Sequence, residues 1–154
     1  MRWSKLKQLV EAGFAPGLST RLTINSAAYG ACTCGHAWLT LDGEVIANFC
    51  TRAYWNKEFA GVPEKTNPMY ARQQTAYGEM SRQDAYQACW AFVHDLSIDD
   101  ALADSDPLVQ TLAVIDRRLG KRRLDQIDED ALHPLARRLL AERKTRTAAS
   151  PRAA

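Results

Sequence analysis

Trp3, Leu6, Val10 and Phe14 return every three or four positions, with Leu9 beside them, and this spacing predicts an amphipathic helix that Pro16 and Gly17 bring to an end. The period then changes. LSTRLTINSAA alternates loosely in a β-rich composition, and the apolar runs HAWLTL and EVIANFC are separated only by Asp42-Gly43. Both residues of that dipeptide accept the positive φ of a type I′ turn, so a tight antiparallel hairpin is expected. Its face carrying Leu39, Leu41, Ile46 and Cys50 is expected to pack under helices.

From residue 52 onward the strand pattern fades. Ser81 followed by Asp84 resembles a capping box ahead of the helical stripe Ala85, Cys89, Phe92, Val93 and Leu96, and Ser97 with Asp100 repeats the device for a short helix. Asp106-Pro107 supplies a cap and a first-turn proline ahead of Leu108, Leu112, Ile115 and Leu119, with Gly120 placed as a C′ stop. A last helix is expected from His133-Pro134 through Leu135, Leu139 and Leu140. One helix, three strands and then several helices predict an α+β fold, with a small antiparallel sheet covered by helices. The expected organisation is a single domain over residues 1–143 and a disordered basic tail over 144–154. Between Trp55 and Ser81 the chain has prolines and glycines but little periodicity, and it reads as a long loop or an unrecognised element.

Composition narrows the class. With 46% apolar and 25% charged residues over 154 positions, the chain matches an ordinary globular protein with one sizeable core. No apolar run approaches the roughly 18 residues of a membrane span, and MRWSKLKQLVEAGFA lacks the continuous apolar core of a secretory signal. A cytoplasmic protein without membrane contact is expected, and its four cysteines are expected to be free thiols. A net charge of +2 does not by itself call for a polyanionic partner.

The hairpin concentrates candidate metal chemistry, because Cys32, Cys34 and His36 alternate along one strand and would share a face. A two-residue loop at Asp42-Gly43 would set His36 opposite Phe49 and place Cys50 on the other face from Cys34, whereas a different loop length would change the register and restore the site. C-x-C-x-H within a strand also departs from the tight-turn cysteine pairs of structural zinc sites. Half-buried strand residues are therefore the favoured reading of Cys32, Cys34 and His36, with no metal or other cofactor expected. Cys89 sits on a core stripe, His94 near a helix C-terminus and His133 at a helix start, and each has a structural explanation. No G-x-S-x-G, Gly-rich phosphate loop or H-E-x-x-H is present, so no residue set points to catalysis.

In IDRRLGKRRLDQIDED, Arg117, Arg118, Lys121, Arg122 and Arg123 place five cations within seven residues around Gly120. Such a cluster could grip phosphate oxygens or nucleic acid. The aspartates on either side favour pairing within the fold and cations at a helix C-terminus. Tyr54 and Trp55, with Phe59, Tyr70 and Tyr77 beyond them, form a second candidate surface of the aromatic kind used in interfaces. The opening MRWSKL, the hairpin AWLTLDGEVIANFCT and the segment SDPLVQTLAVIDRRLGKRRL together resemble a family of small uncharacterised bacterial proteins, over about residues 1–124. The resemblance implies a bacterial cytoplasmic protein and no particular activity. The combined reading is a non-enzymatic protein-interaction module. Phosphate or nucleic-acid binding through residues 117–123 is the alternative, and metal binding by Cys32, Cys34 and His36 the third.

Overall fold

The computed structural model describes residues 1–28, 35–50 and 82–149. The fold is α+β, with α1 (Trp3–Ala12) leading into strands β1 (Leu22–Ala28), β2 (Gly35–Leu41) and β3 (Glu44–Cys50). Helices α2 (Arg82–His94), α3 (Ile98–Ala103), α4 (Pro107–Ile115) and α5 (Lys121–Asp125), a 3₁₀ turn (Glu129–Ala131) and α6 (Pro134–Ala149) follow. Contacts divide the chain into two compact units, one formed by residues 21–87 and the other by residues 1–20 together with 88–154. Among the described residues no helix is long and apolar enough to cross a membrane.

In the first of these units the strands form an antiparallel meander in the order β1-β2-β3. Asp42 and Gly43 close the β2-β3 hairpin with φ of 52° and 85°, as the type I′ turn requires. The turn is tied back to β1, because the Asp42 N–H donates to the Arg21 carbonyl at 2.9 Å and the Arg21 guanidinium forks onto the Asp42 carboxylate. One sheet face is buried and carries Leu22, Ile24, Ala37, Leu39, Leu41, Ala47 and Phe49. On the other, the hydroxyls of Thr23 and Thr40 meet at 2.5 Å, and the Asn25 amide donates to Thr23 at 3.0 Å.

The register of the hairpin differs from the regular one expected. Leu41 faces Glu44 and Thr40 faces Val45, but Leu39 faces Ala47, so a β-bulge leaves Ile46 as the extra residue. His36 consequently pairs with Cys50 rather than with Phe49. Strict alternation inward from Ile46 would have carried Asn48 toward the core and Phe49 toward water. The bulge leaves Phe49 fully buried opposite Ala37, and burying an aromatic side chain of this size contributes about 2–3 kcal/mol. The register argument that separated Cys50 from the His36 face therefore does not hold.

The second unit is organised around α4. Every residue from Leu108 to Ile115 is buried, as befits a helix apolar all round, and α3 and α6 pack against it. Its start follows the expected caps: the Asp106 carboxylate accepts the N–H groups of Leu108 at 2.8 Å and Val109 at 3.1 Å, with Pro107 in the first turn. Ser97 likewise accepts the Asp100 N–H at 3.1 Å and caps α3. The end of α4 was not anticipated. The helix stops at Ile115 rather than running to Leu119, and Gly120 lies at φ −71° as the N-cap of α5, not in a left-handed stop. Helix α1 also ends early, at Ala12, and Leu9 is exposed.

Helix α6 buries Leu135, Ala136, Leu139, Leu140 and Arg143 along one stripe. It runs helical past Lys144, where a disordered tail was expected to begin. Arg143 and Lys144 anchor that turn, Lys144 through a 2.7 Å ion pair with Glu129. The start of α6 is capped by an imidazole. His133 Nδ1 accepts the Leu135 N–H at 3.2 Å, while the His133 N–H donates to the Gln110 side-chain carbonyl at 2.6 Å. Gln110 donates in turn to the Leu102 carbonyl at 3.2 Å, so one buried amide joins the end of α3, the middle of α4 and the start of α6.

Burial lowers the His133 pKa below its ordinary 6.5, and only the neutral ring can accept the Leu135 N–H. The folded state therefore binds the proton less readily than the unfolded chain. The contribution is complete above the unfolded-state value of about 6.5 and is lost as pH falls through the lower folded value. Urea-unfolding midpoints should fall between about pH 7.5 and about pH 5. His133→Asn, which caps without titrating, should flatten that slope, and His133→Ala should cost about 1 kcal/mol at the higher pH.

Candidate functional site

The turn that follows α4 supplies the most developed polar arrangement among the described residues. Phe14 and Asp116 form an isolated antiparallel bridge in which the Ala15 N–H donates to the Ile115 carbonyl at 2.8 Å and the Arg117 N–H donates to the Gly13 carbonyl at 2.8 Å. This pairing takes the backbone out of α4 at Asp116 and out of α1 at Gly13. A Cβ on Gly13 would lie 3.2 Å from Asp116 Oδ2 and 3.2 Å from the Val10 carbonyl oxygen, so only glycine allows the two chains so close without movement.

Asp116 is 3% exposed, and its carboxylate is fully engaged. Oδ1 accepts the Arg118 backbone N–H at 2.7 Å, an Asx-turn, and the Arg118 guanidinium forks onto the same carboxylate at 2.9 and 3.0 Å. Arg143 reaches the turn from α6. Its guanidinium donates to the carbonyls of Val114 at 2.7 Å and Asp116 at 2.8 Å, and also to that of Leu119. Burial pulls the Arg143 pKa below its ordinary value and the Asp116 charge partly offsets this. The guanidinium thereby does for the end of α4 what solvent does at an exposed helix terminus.

Against this turn lies an open cleft of about 330 Å³, floored by Val10, Gly13, Phe92 and Val93 and edged by Leu9, Arg117 and Arg118. Arg118 stands over the Phe92 ring, 5.4 Å from its centroid, and its side chain stays 50% exposed. Leu9 is 40% exposed at the rim. Arg117 is exposed and its side chain has no ion-pair partner among the described residues. Lys5, one helical turn before Leu9 on α1, is likewise exposed and unpaired.

The basic segment, contiguous in sequence, is divided in space. Arg117 and Arg118 edge this cleft, whereas Arg123 pairs with Asp99 in a second cleft of about 480 Å³ that also holds Leu102, Gln110, Ile127 and Leu132. Lys121 and Arg122 lie exposed on α5 without ion pairs among the described residues. Two of the five cations thus pair with aspartates, as expected of the segment, but they do not gather round a helix C-terminus at Gly120.

Tyr54 and Trp55, with Phe59, Tyr70 and Tyr77, lie outside the described residues, as do Cys32 and Cys34. Among the described residues no group of three His, Cys, Asp or Glu side chains could hold a metal ion. The Cys89 thiol is buried and its pKa is pushed up to about 12 by that burial, with Asp106 adding to the effect. His94 stacks on Trp90 one turn earlier in α2, with ring centroids 4.3 Å apart. Three members of the cleft escaped the reading of the pattern: Leu9 and Phe92 read as core residues, and Asp116 as one aspartate among many. The Asp-x-Arg spacing directly after an apolar helix was the usable signal, since it is the spacing of an Asx-turn closed by a guanidinium.

In comparison with known proteins, the model of the SF0329 protein family matches residues 2–144, and no activity is assigned to that family. No curated protein and no solved structure matches the chain.

Removing the Arg143 guanidinium leaves three backbone carbonyls without their donor in a buried turn. Arg143→Leu should lower unfolding free energy by about 3 kcal/mol or more. Arg143→Lys should recover only part of that, because a single ammonium does not span carbonyls that a planar fork reaches together. Urea titration of the three proteins checks this, and a loss under about 0.5 kcal/mol for Arg143→Leu would contradict the assignment.

Proposed function

For this chain, which belongs to the SF0329 protein family, we propose a role as a non-enzymatic protein-interaction module that docks its partner at the cleft edged by Leu9, Arg117 and Arg118. The observation that carries this reading is the exposure of a large aliphatic side chain beside a guanidinium with no ion pair among the described residues, above an apolar floor. An isolated exposed leucine is ordinary on a soluble protein. Leu9 differs in sitting at the mouth of a concave site with Phe92 and Val93 beneath it, and apolar anchors in such pockets dominate binding energy.

The principal rival is a phosphate or nucleic-acid binder using the basic segment. The exposure of Arg117, Lys121 and Arg122, which make no ion pair among the described residues, favours it. Against it stand the engagement of Arg118 and Arg123 by aspartates, which lowers the local positive charge, and their assignment to different clefts.

Affinity capture from an extract of the source organism separates the two, run with and without nuclease and with Leu9→Asp beside the parent protein. The expected result is a stoichiometric protein partner that survives nuclease and is lost with Leu9→Asp. Binding to mixed-sequence DNA or RNA at physiological salt should be no tighter than about 1 μM, the non-specific level. Submicromolar, steeply salt-dependent binding lost in a folded Arg117→Ala/Arg122→Ala variant would replace the proposal with its rival.

A further inference from the structure

Resting on the interaction reading above, we infer that the cleft at Leu9, Phe92 and Arg117 takes a short acidic segment of a partner protein, with a carboxylate next to a large aliphatic or aromatic side chain. The charge of the lining points to that chemistry. Two guanidiniums, Arg117 and Arg118, face one carboxylate, Asp116, which is buried and already satisfied by Arg118. Lys5, outside the lining and one turn before Leu9 on α1, adds an exposed cation with no ion pair among the described residues. A small positive excess of this kind suits one or two carboxylates rather than a polyanion, whose affinity grows with each phosphate neutralised.

Arg118 is prepared for the purpose. Asp116 holds its Nε and one terminal nitrogen, and Phe92 supports its plane, so the guanidinium is oriented before anything binds while its other terminal nitrogen, Nη1, makes no hydrogen bond among the described residues. An oriented donor loses less side-chain entropy on binding than a mobile one. The apolar half of the ligand has its counterpart in Leu9 and Val93, within a volume of about 330 Å³. That is at the small end of ligand pockets, enough for a few side chains of an extended or helical segment. Arg117 then reads the carboxylate at the rim, where its backbone is fixed by the Gly13 carbonyl.

The experiment is selection of short random peptides displayed on phage against the intact chain, followed by affinity measurement of the enriched peptides by calorimetry. Enriched sequences should carry Asp or Glu within a few positions of Leu, Ile or Phe. Leu9→Asp and Arg117→Glu, both at exposed positions, should leave the unfolding midpoint unchanged and weaken binding by about tenfold or more, while Arg122→Glu should not affect it. Selection against Arg117→Glu should in turn enrich Lys or Arg in place of the acid. Failure to enrich any peptide, or enrichment of acid-free sequences, would overturn the inference. Peptides bound equally well by Leu9→Asp and Arg117→Glu would sink the cleft assignment while leaving a protein-interaction role intact. Tighter, Arg117-dependent binding of single-stranded RNA or DNA than of any peptide would remove both.

Discussion

A single buried guanidinium holds the end of the central helix, and most of the second unit is arranged around it. Helix α4 is apolar on all sides and ends inside the protein, so its last carbonyls have no water to turn to. Arg143 answers three acceptors of that end and of the turn beyond it, from a position on the buried stripe of α6. The arrangement is costly to desolvate, and the Asp116 carboxylate beside it, itself neutralised by Arg118, offsets part of that cost. Everything around the candidate cleft follows from this turn. The backbone pinned at 114–119 sets Asp116 where it holds Arg118 over Phe92, and the lack of a side chain lets Gly13 approach without displacing its neighbours.

Much of the fold was legible because its signals were local. Asp42-Gly43 named its own turn type, Asp106-Pro107 and Ser97 named their caps, and the Leu135, Leu139 and Leu140 stripe named the last helix. What failed depended on partners distant in sequence. The hairpin bulge was the nearest to being readable, since V-I-A-N-F sets Ile46 and Phe49 three positions apart, on opposite faces of a regular strand, and only a change of face buries both. The termination of α4 at Ile115 was not readable in that way, because it rests on backbone pairing with residues 13–15 and on a guanidinium from α6.

The candidate site was legible in composition but not in grouping. Arg117 to Arg123 stood out as one cationic run, and a run suggests a patch. Folding instead distributes it: two members edge one cleft, one closes against Asp99 in another, and two remain on the short α5. A linear cluster becomes a surface cluster only if the backbone keeps its members on one side, and the turn at 116–120 followed by a new helix prevents that. The partners that give Arg117 and Arg118 their setting, Leu9 and Phe92, come from segments whose own patterns spoke only of core packing.

The bridge between Phe14 and Asp116 also bears on the order in which the molecule can assemble. Residues 1–20 belong with residues 88–154, and the whole of residues 21–87 is inserted between them. During synthesis, α1 leaves the ribosome roughly a hundred residues before the backbone groups that will satisfy Gly13 and Ala15 exist. Its apolar stripe of Leu6 and Val10 must wait, while the Asp-Gly hairpin, closed by contacts only a few residues apart, can form at once. The unit that carries the candidate cleft is therefore completed only once residues 88–154 have been made, and until then Leu6 and Val10 stay without the burial they have in the finished fold.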